Sequence, residues 1–251
     1  MSKSRYVTGL RAVEQLLMGD ASGIRQIYAE YQSENARVRA VIVEARNAGI
    51  EIQAANRARL TQISGESRHQ GIVAEVRRST VMDEAALRTL VEERLQREDG
   101  ARVLLLVLDG IQDPHNLGAC MRTADAAGVD AVVVPRHGAA GLGATVSKVA
   151  AGAAEKLPFV PVANLGRVIS WLSDYGVRCV GTSDRAETSL FDSDLTGPVA
   201  LVMGREHTGL SKGIASRCDL LVSVPMRGEV TSLNVSVATG ICLYEIVRQD
   251  R

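Results

Sequence analysis

The chain alternates between two kinds of hydrophobic pattern, and the kind changes near position 100. Before that point, apolar residues recur at helical spacing between short mixed runs. Ala12, Val13, Leu16 and Leu17 share one helical face, and Gly19 or Gly23 can stop that helix. Ile24 to Tyr28 reads as a strand, Asn35 to Ala48 as a helix closed by Gly49, and Ile50-Glu51-Ile52 and Gly71 to Val76 as further strands. From Arg102 onward the runs become continuously apolar: Val103–Leu108, Ala131–Val134, Val177–Val180, Val199–Met203 and Leu220–Val224. Runs without polar alternation predict strands buried on both faces, as in a parallel sheet. Between them lie helical stretches at Leu117–Ala127, Thr145–Ala154, Leu165–Tyr175 and Leu233–Val247. This order predicts an α/β fold, with a small N-terminal α/β domain over 1–78 and a larger domain over 101–251. Residues 79–100, with Asp83, Glu84, Glu92, Glu93, Glu98 and Asp99, read as a charged, helix-prone linker.

Composition narrows the functional classes. The 251 residues carry no net charge, which argues against a strongly basic nucleic-acid wrapper. The balance is uneven, however. Residues 1–78 hold twelve Lys and Arg against eight Asp and Glu, a net of +4, and the remainder is −4. A basic N-terminal module can meet phosphate, although an ordinary solvated surface gives the same count. Aromatic content of 3% leaves few rings for base stacking. Four cysteines at 120, 179, 218 and 242 form no C-x-x-C pair, so free thiols in a reducing compartment are expected. Met1 to Arg11 is polar and no apolar run approaches membrane-spanning length, which predicts a cytoplasmic protein.

Several familiar chemistries are absent. Gly204-x-x-x-x-Gly209 is followed by Leu210-Ser211, not by the Lys-Ser/Thr pair of a phosphate-binding loop. No strand is followed by G-x-G-x-x-G, and no G-x-S-x-G elbow occurs. Histidines 69, 115, 137 and 207 lack ligand spacing, so no metal is expected.

Three polar, Gly-containing segments each follow an apolar run. They are Asp113 to Arg122, Gly204 to Gly209, and Pro225-Met226 through Ser236. In open α/β sheets, ligands bind beyond the C-terminal ends of the strands, so three such segments predict one composite site. Asp113-Pro114 initiates a turn, and Asn116 is the expected N-cap of the helix Leu117–Ala127. Arg122 sits in an otherwise small and apolar helix, as a surface residue, a partner of Asp125 or a functional group. Glu206 can favour a helix dipole, and Ser232 and Asn234 can cap the last helix; each of these residues equally suits ligand orientation.

Together the three segments resemble the motifs of the SpoU/TrmH branch of the SPOUT RNA 2′-O-methyltransferases. The matching residues are Asn116 and Arg122, then Gly204-x-Glu206-x-x-Gly209, then Pro225-Met226 with Ser232-Leu233-Asn234-Val235-Ser236. Arg205, His207 and Thr208 read as free positions. Tyr6 to Leu17, His69 to Ala74 and Asn116 to Gly128 are similar to the branch's bacterial members that methylate a guanosine ribose in 23S ribosomal RNA. The resemblance implies a C-terminal SPOUT domain with a deep trefoil knot, and an N-terminal RNA-binding domain of the L30e/L7Ae type. It implies S-adenosyl-L-methionine as cofactor, held by Gly204, Val224, Met226, Leu233 and Thr182. It implies Asn116, Arg122, Glu206, Ser232 and Asn234 as the reaction-side residues, a homodimer, and 23S ribosomal RNA or a large-subunit precursor as partner. The implied target is a guanosine in the peptidyl-transferase region. Other members of the branch act on other ribosomal sites or on transfer RNA. A non-catalytic RNA-binding protein and a metabolic α/β enzyme are the remaining alternatives.

Overall fold

The computed structural model describes residues 5–30, 33, 35–76, 80–97, 102–205 and 208–250. The chain divides into two units, Met1–Ser79 and Thr80–Arg251.

The first unit runs β1 (Arg5–Thr8), α1 (Leu10–Asp20), β2 (Ile24–Glu30), α2 (Ala36–Asn47), β3 (Glu51–Ala55), α3 (Arg57–Ser64) and β4 (Ile72–Val76). Its sheet order is β1-β4-β2-β3, with only β2 and β3 parallel. Asparagine caps set two helices: Asn35 accepts from the Arg37 N–H, and Asn56 from the Arg59 N–H. The Gln70 side chain accepts the Leu10 N–H at 3.0 Å, so the His69-Gln70-Gly71 segment closes the start of α1. The hydrophobic pattern missed β1 and α3. The first has four residues, and the second fully buries only Leu60, so neither leaves a readable period.

The second unit begins with α4 (Glu84–Leu95), β5 (Leu104–Leu108), α5 (Pro114–Ala126), β6 (Ala131–Pro135) and α6 (Ala144–Ala150). It continues through β7 (Phe159–Val162), α7 (Leu165–Asp174), β8 (Arg178–Thr182), β9 (Val199–Met203), α8 (Lys212–Ala215), β10 (Leu220–Val222) and α9 (Val235–Gln249). All six strands are parallel, in the order β10-β8-β9-β5-β6-β7. Alternate residues of β5, β6, β7, β8 and β9 feed two cores, while the edge strand β10 feeds only one. Leu104, Leu106 and Leu108 pack with α5, α6 and α9, while Leu105 and Val107 pack with α4, α7 and α8. This double burial is what the unbroken apolar runs encode.

Three expectations are corrected. The stretch 79–100 does not stand free as a linker over its length. Asp83 caps α4, whose Leu87 and Val91 are fully buried in the second core, and Thr80 and Met82 bond the Phe159 backbone. Of the charges that suggested a connector, Glu92 and Glu93 are exposed on that helix, while Glu98 and Asp99 lie outside the described residues. Asn116 is not the N-cap of α5. Asp113 accepts the His115 N–H at 2.9 Å and Pro114 takes the first helical position, so the helix starts earlier and Asn116 lies in its first turn. Finally, β7 was not predicted, because Pro161 interrupts its short run. Proline is tolerated there because β7 ends the sheet order.

Candidate active site

Four strands end together. Leu108 is in register with Met203, and Thr182 with Val222, so the segments after β5, β8, β9 and β10 leave the sheet at one edge. The loop after β9 folds back on itself. Arg205 and Gly209 exchange both backbone hydrogen bonds, at 3.1 and 3.0 Å. Gly204 sits under this return. A methyl group on it would lie 2.1 Å from the Gly209 carbonyl carbon and 2.2 Å from the Leu210 nitrogen. The close approach that Gly204 permits is therefore to the chain's own backbone, which fixes the loop before any ligand arrives.

The segment after β5 anchors the same loop. Asp109, 9% exposed, accepts the Ser211 N–H at 2.9 Å, and its own N–H donates to the Met203 carbonyl at 2.8 Å. Sequence reasoning missed Asp109. Its only signal was its place at the end of an apolar strand, two residues beyond Val107.

The first and third motifs meet directly. The Asn234 amide donates to the Asn116 carbonyl oxygen at 3.0 Å. Asn234 also caps α9 as expected, its oxygen accepting from the Ser236 N–H at 2.9 Å and the Ser236 hydroxyl at 2.6 Å. One side chain therefore starts the last helix and holds the first turn of α5. The Thr182 hydroxyl contacts the Met203 sulfur at 3.6 Å, which ties the ends of β8 and β9.

The other candidates are less constrained. Arg122 is exposed on α5, and its side chain forms no hydrogen bond or ion pair with any described residue, Asp125 included. Ser232 is exposed, and Val224, Met226 and Leu233 are half-buried. Glu206, like His207, lies outside the described residues.

The edge suits a ligand with apolar and polar parts. Val224, Met226 and Leu233 leave apolar surface partly uncovered beside a loop pinned by Gly204. Among the described residues no His, Cys, Asp and Glu group could hold a metal ion, and no helix is long and apolar enough to cross a membrane. The cysteines do not suit nucleophilic work. Burial pushes the Cys179 thiol well up and holds Cys218 and Cys242 at about 12, with Asp219 adding to the effect at Cys179 and Cys218.

The second unit is thus a parallel α/β sheet that gathers three motif segments at one strand edge, and the first unit is a smaller α/β module. Residues 103–244 match the model of the SpoU rRNA Methylase family, and residues 6–82 match that of RNA 2′-O ribose methyltransferase substrate binding. The chain belongs to the SpoU rRNA methylase family. It is 46% identical over 249 residues to the 23S rRNA (guanosine-2′-O-)-methyltransferase RlmB of Ralstonia nicotianae, covering 99% of this chain and 97% of that protein. Among solved structures, it is similar to the SpoU methyltransferase AviRb of Streptomyces viridochromogenes in complex with the cofactor AdoMet. That match has a TM-score of 0.60 and 27% identity, over 98% of this chain and 90% of the other. An AdoMet-bound rRNA methyltransferase from Sinorhizobium meliloti gives a TM-score of 0.60 at 26% identity, over 98% and 87%.

Proposed function

We propose that this chain methylates the ribose 2′-hydroxyl of a guanosine in 23S ribosomal RNA, with S-adenosylmethionine as methyl donor. The observation that carries this reading is the union of the three motif loops at one sheet edge, with Asn116 bonded to Asn234 and the Gly204 loop locked on itself. It is supported by near-full-length similarity to the Ralstonia enzyme.

When bound, the cofactor supplies a methyl group already activated by its sulfonium, so the protein's task is alignment and charge stabilisation. Val224, Met226 and Leu233 would cover the apolar parts of the cofactor, with Gly204 and Thr182 shaping the loop behind them. Arg122 is the residue assigned to the reacting ribose. A guanidinium stays protonated in proteins, so Arg122 would stabilise the developing alkoxide and not act as a base. Its exposure, with no partner among the described residues, leaves the charge available for substrate. Asn116 and Asn234 would orient the ribose side, with Glu206 and Ser232 completing it.

The finer architecture is part of the same proposal. The strand order, in which β9 lies between β8 and β5, accommodates a knotted SPOUT domain. The first unit would bind RNA as an L30e/L7Ae-type module, with Arg11, Arg46, Arg57 and Arg68 exposed on its surface. A homodimer is supported by α9, which leaves Val237 and Tyr244 51% and 52% exposed, seven residues apart on one face. The substrate places the enzyme in the cytoplasm, acting on 23S RNA or a large-subunit precursor.

The test is methyl transfer from labelled S-adenosylmethionine to unmodified 23S RNA, with the product mapped. One 2′-O-methylguanosine in the peptidyl-transferase region is expected. Incorporation at another ribosomal site or only into transfer RNA would overturn the substrate, and absence of cofactor binding would overturn the activity.

A further inference from the structure

Sequence pattern alone leaves Arg205 a free position within the second motif. The structure holds it at both ends. Its backbone is clamped by the paired bonds to Gly209. Its side chain lies on Gly110, where a Cβ would come within 2.7 Å of Nε, 3.0 Å of Nη2 and 3.3 Å of Cζ. Gly110, with φ of +81°, is the residue at which the segment after β5 turns toward the first motif. Any side chain there would evict the guanidinium. Arg205 is nonetheless exposed, and it makes no side-chain hydrogen bond or ion pair with another described residue.

An arginine placed against backbone gives up rotamer freedom, and no carboxylate among the described residues repays it. The charge is held ready for an external anion at the edge where Gly204 and Asn116 lie. Residues 79–251 carry a net charge of −4, so a polyanion approaching this unit depends on individually placed cations. A guanidinium fork matches the oxygens of a phosphate. We propose that Arg205 grips a backbone phosphate of the RNA beside the ribose that is methylated. This inference rests on the function proposed above, and it adds a substrate-binding residue to the second motif loop.

The full-length chain and its Arg205→Ala, Arg205→Gln and Arg205→Lys variants would be compared. RNA binding is measured across a salt series, and steady-state methyl transfer with RNA and cofactor varied separately. Arg205→Ala and Arg205→Gln should raise KM for RNA roughly ten-fold, the loss of about one charge-assisted contact. The KM for S-adenosylmethionine should not change. The slope of log affinity against log salt should fall by about 0.7–0.9, one phosphate contact. Lysine should restore the slope and only part of the affinity. Glutamine covers Gly110 without charge, so it separates loss of the contact from loss of packing. A wild-type RNA KM and salt slope in both neutral variants would overturn the proposal. So would a raised KM for the cofactor, which would assign Arg205 to the cofactor's carboxylate. If the wild-type chain transfers no methyl group, the proposed function fails, and the salt slope of RNA binding still decides the role of Arg205.

Discussion

Asn116 and Asn234 are 118 positions apart and share one hydrogen bond, so each serves its own helix start and also joins the first motif segment to the third. The Arg122 side chain is exposed and has no hydrogen-bond or ion-pair partner among the described residues, so its removal should spare the fold. Arg122→Ala is expected to lower kcat at least a hundred-fold while leaving cofactor affinity near wild type, read by kinetics and calorimetry. Collapse of cofactor affinity would reassign the residue. Arg122→Lys separates simple charge, which lysine rescues, from a requirement for the guanidinium fork. The thiols give a different residue-scale expectation. With Cys218 and Cys242 at about 12, only about one thiol in ten thousand ionises at pH 8. Iodoacetamide at pH 8 should leave both unlabelled in the native protein and alkylate them once denaturant is added. Rapid native labelling of either would contradict the burial described.

At the scale of elements, the site depends on loops locked to one another by backbone contacts. Gly204→Ala would place a methyl group into the Gly209–Leu210 backbone. The variant should lose stability by about 1–3 kcal/mol in chemical denaturation and bind S-adenosylmethionine more weakly. Unchanged cofactor affinity would mean that the loop return is incidental to the site. Asp109→Ala leaves the Ser211 N–H without its acceptor and should cost about 1–3 kcal/mol by the same measurement. Much of this level was legible in the sequence: unbroken apolar runs marked β5, β6, β8 and β9 because both sheet faces are buried there, and a similar run marked the half-buried edge strand β10. The helix boundary at Asn116 was not legible in the same way. Asp113 and Asn116 are both good caps, and the choice fell to Pro114, whose fixed φ suits the first helical position. Asp109 was not legible either, since an acidic residue after a strand carries no sign of which loop it will hold.

At the scale of the molecule, the exposed Val237 and Tyr244 face belongs to α9, which packs against α5 through the Cys120 and Thr239 contact. If this face is the proposed dimer surface, Tyr244→Glu should shift the protein toward monomer in analytical ultracentrifugation and lower methyl transfer with it. A monomeric wild type, or an unaltered dimer in the variant, would place the subunit contact elsewhere.

The sequence by itself determined the α/β class, five of the six strands of the larger sheet, the identity of the three motif segments and the basic bias of the first 78 residues. These properties are local: they depend on hydrophobic period, cap chemistry and composition, all of which a linear reading contains. The tertiary structure decided the rest. It joined α4 to the second unit by burying Leu87 and Val91, brought Asn116 to Asn234, turned Gly204 toward its own loop, and laid Arg205 on Gly110. Each of these is a contact between segments far apart in sequence or folded back on themselves. Which partner a glycine or an arginine meets is set by strand order and loop path, and no residue pattern in the chain encodes that meeting.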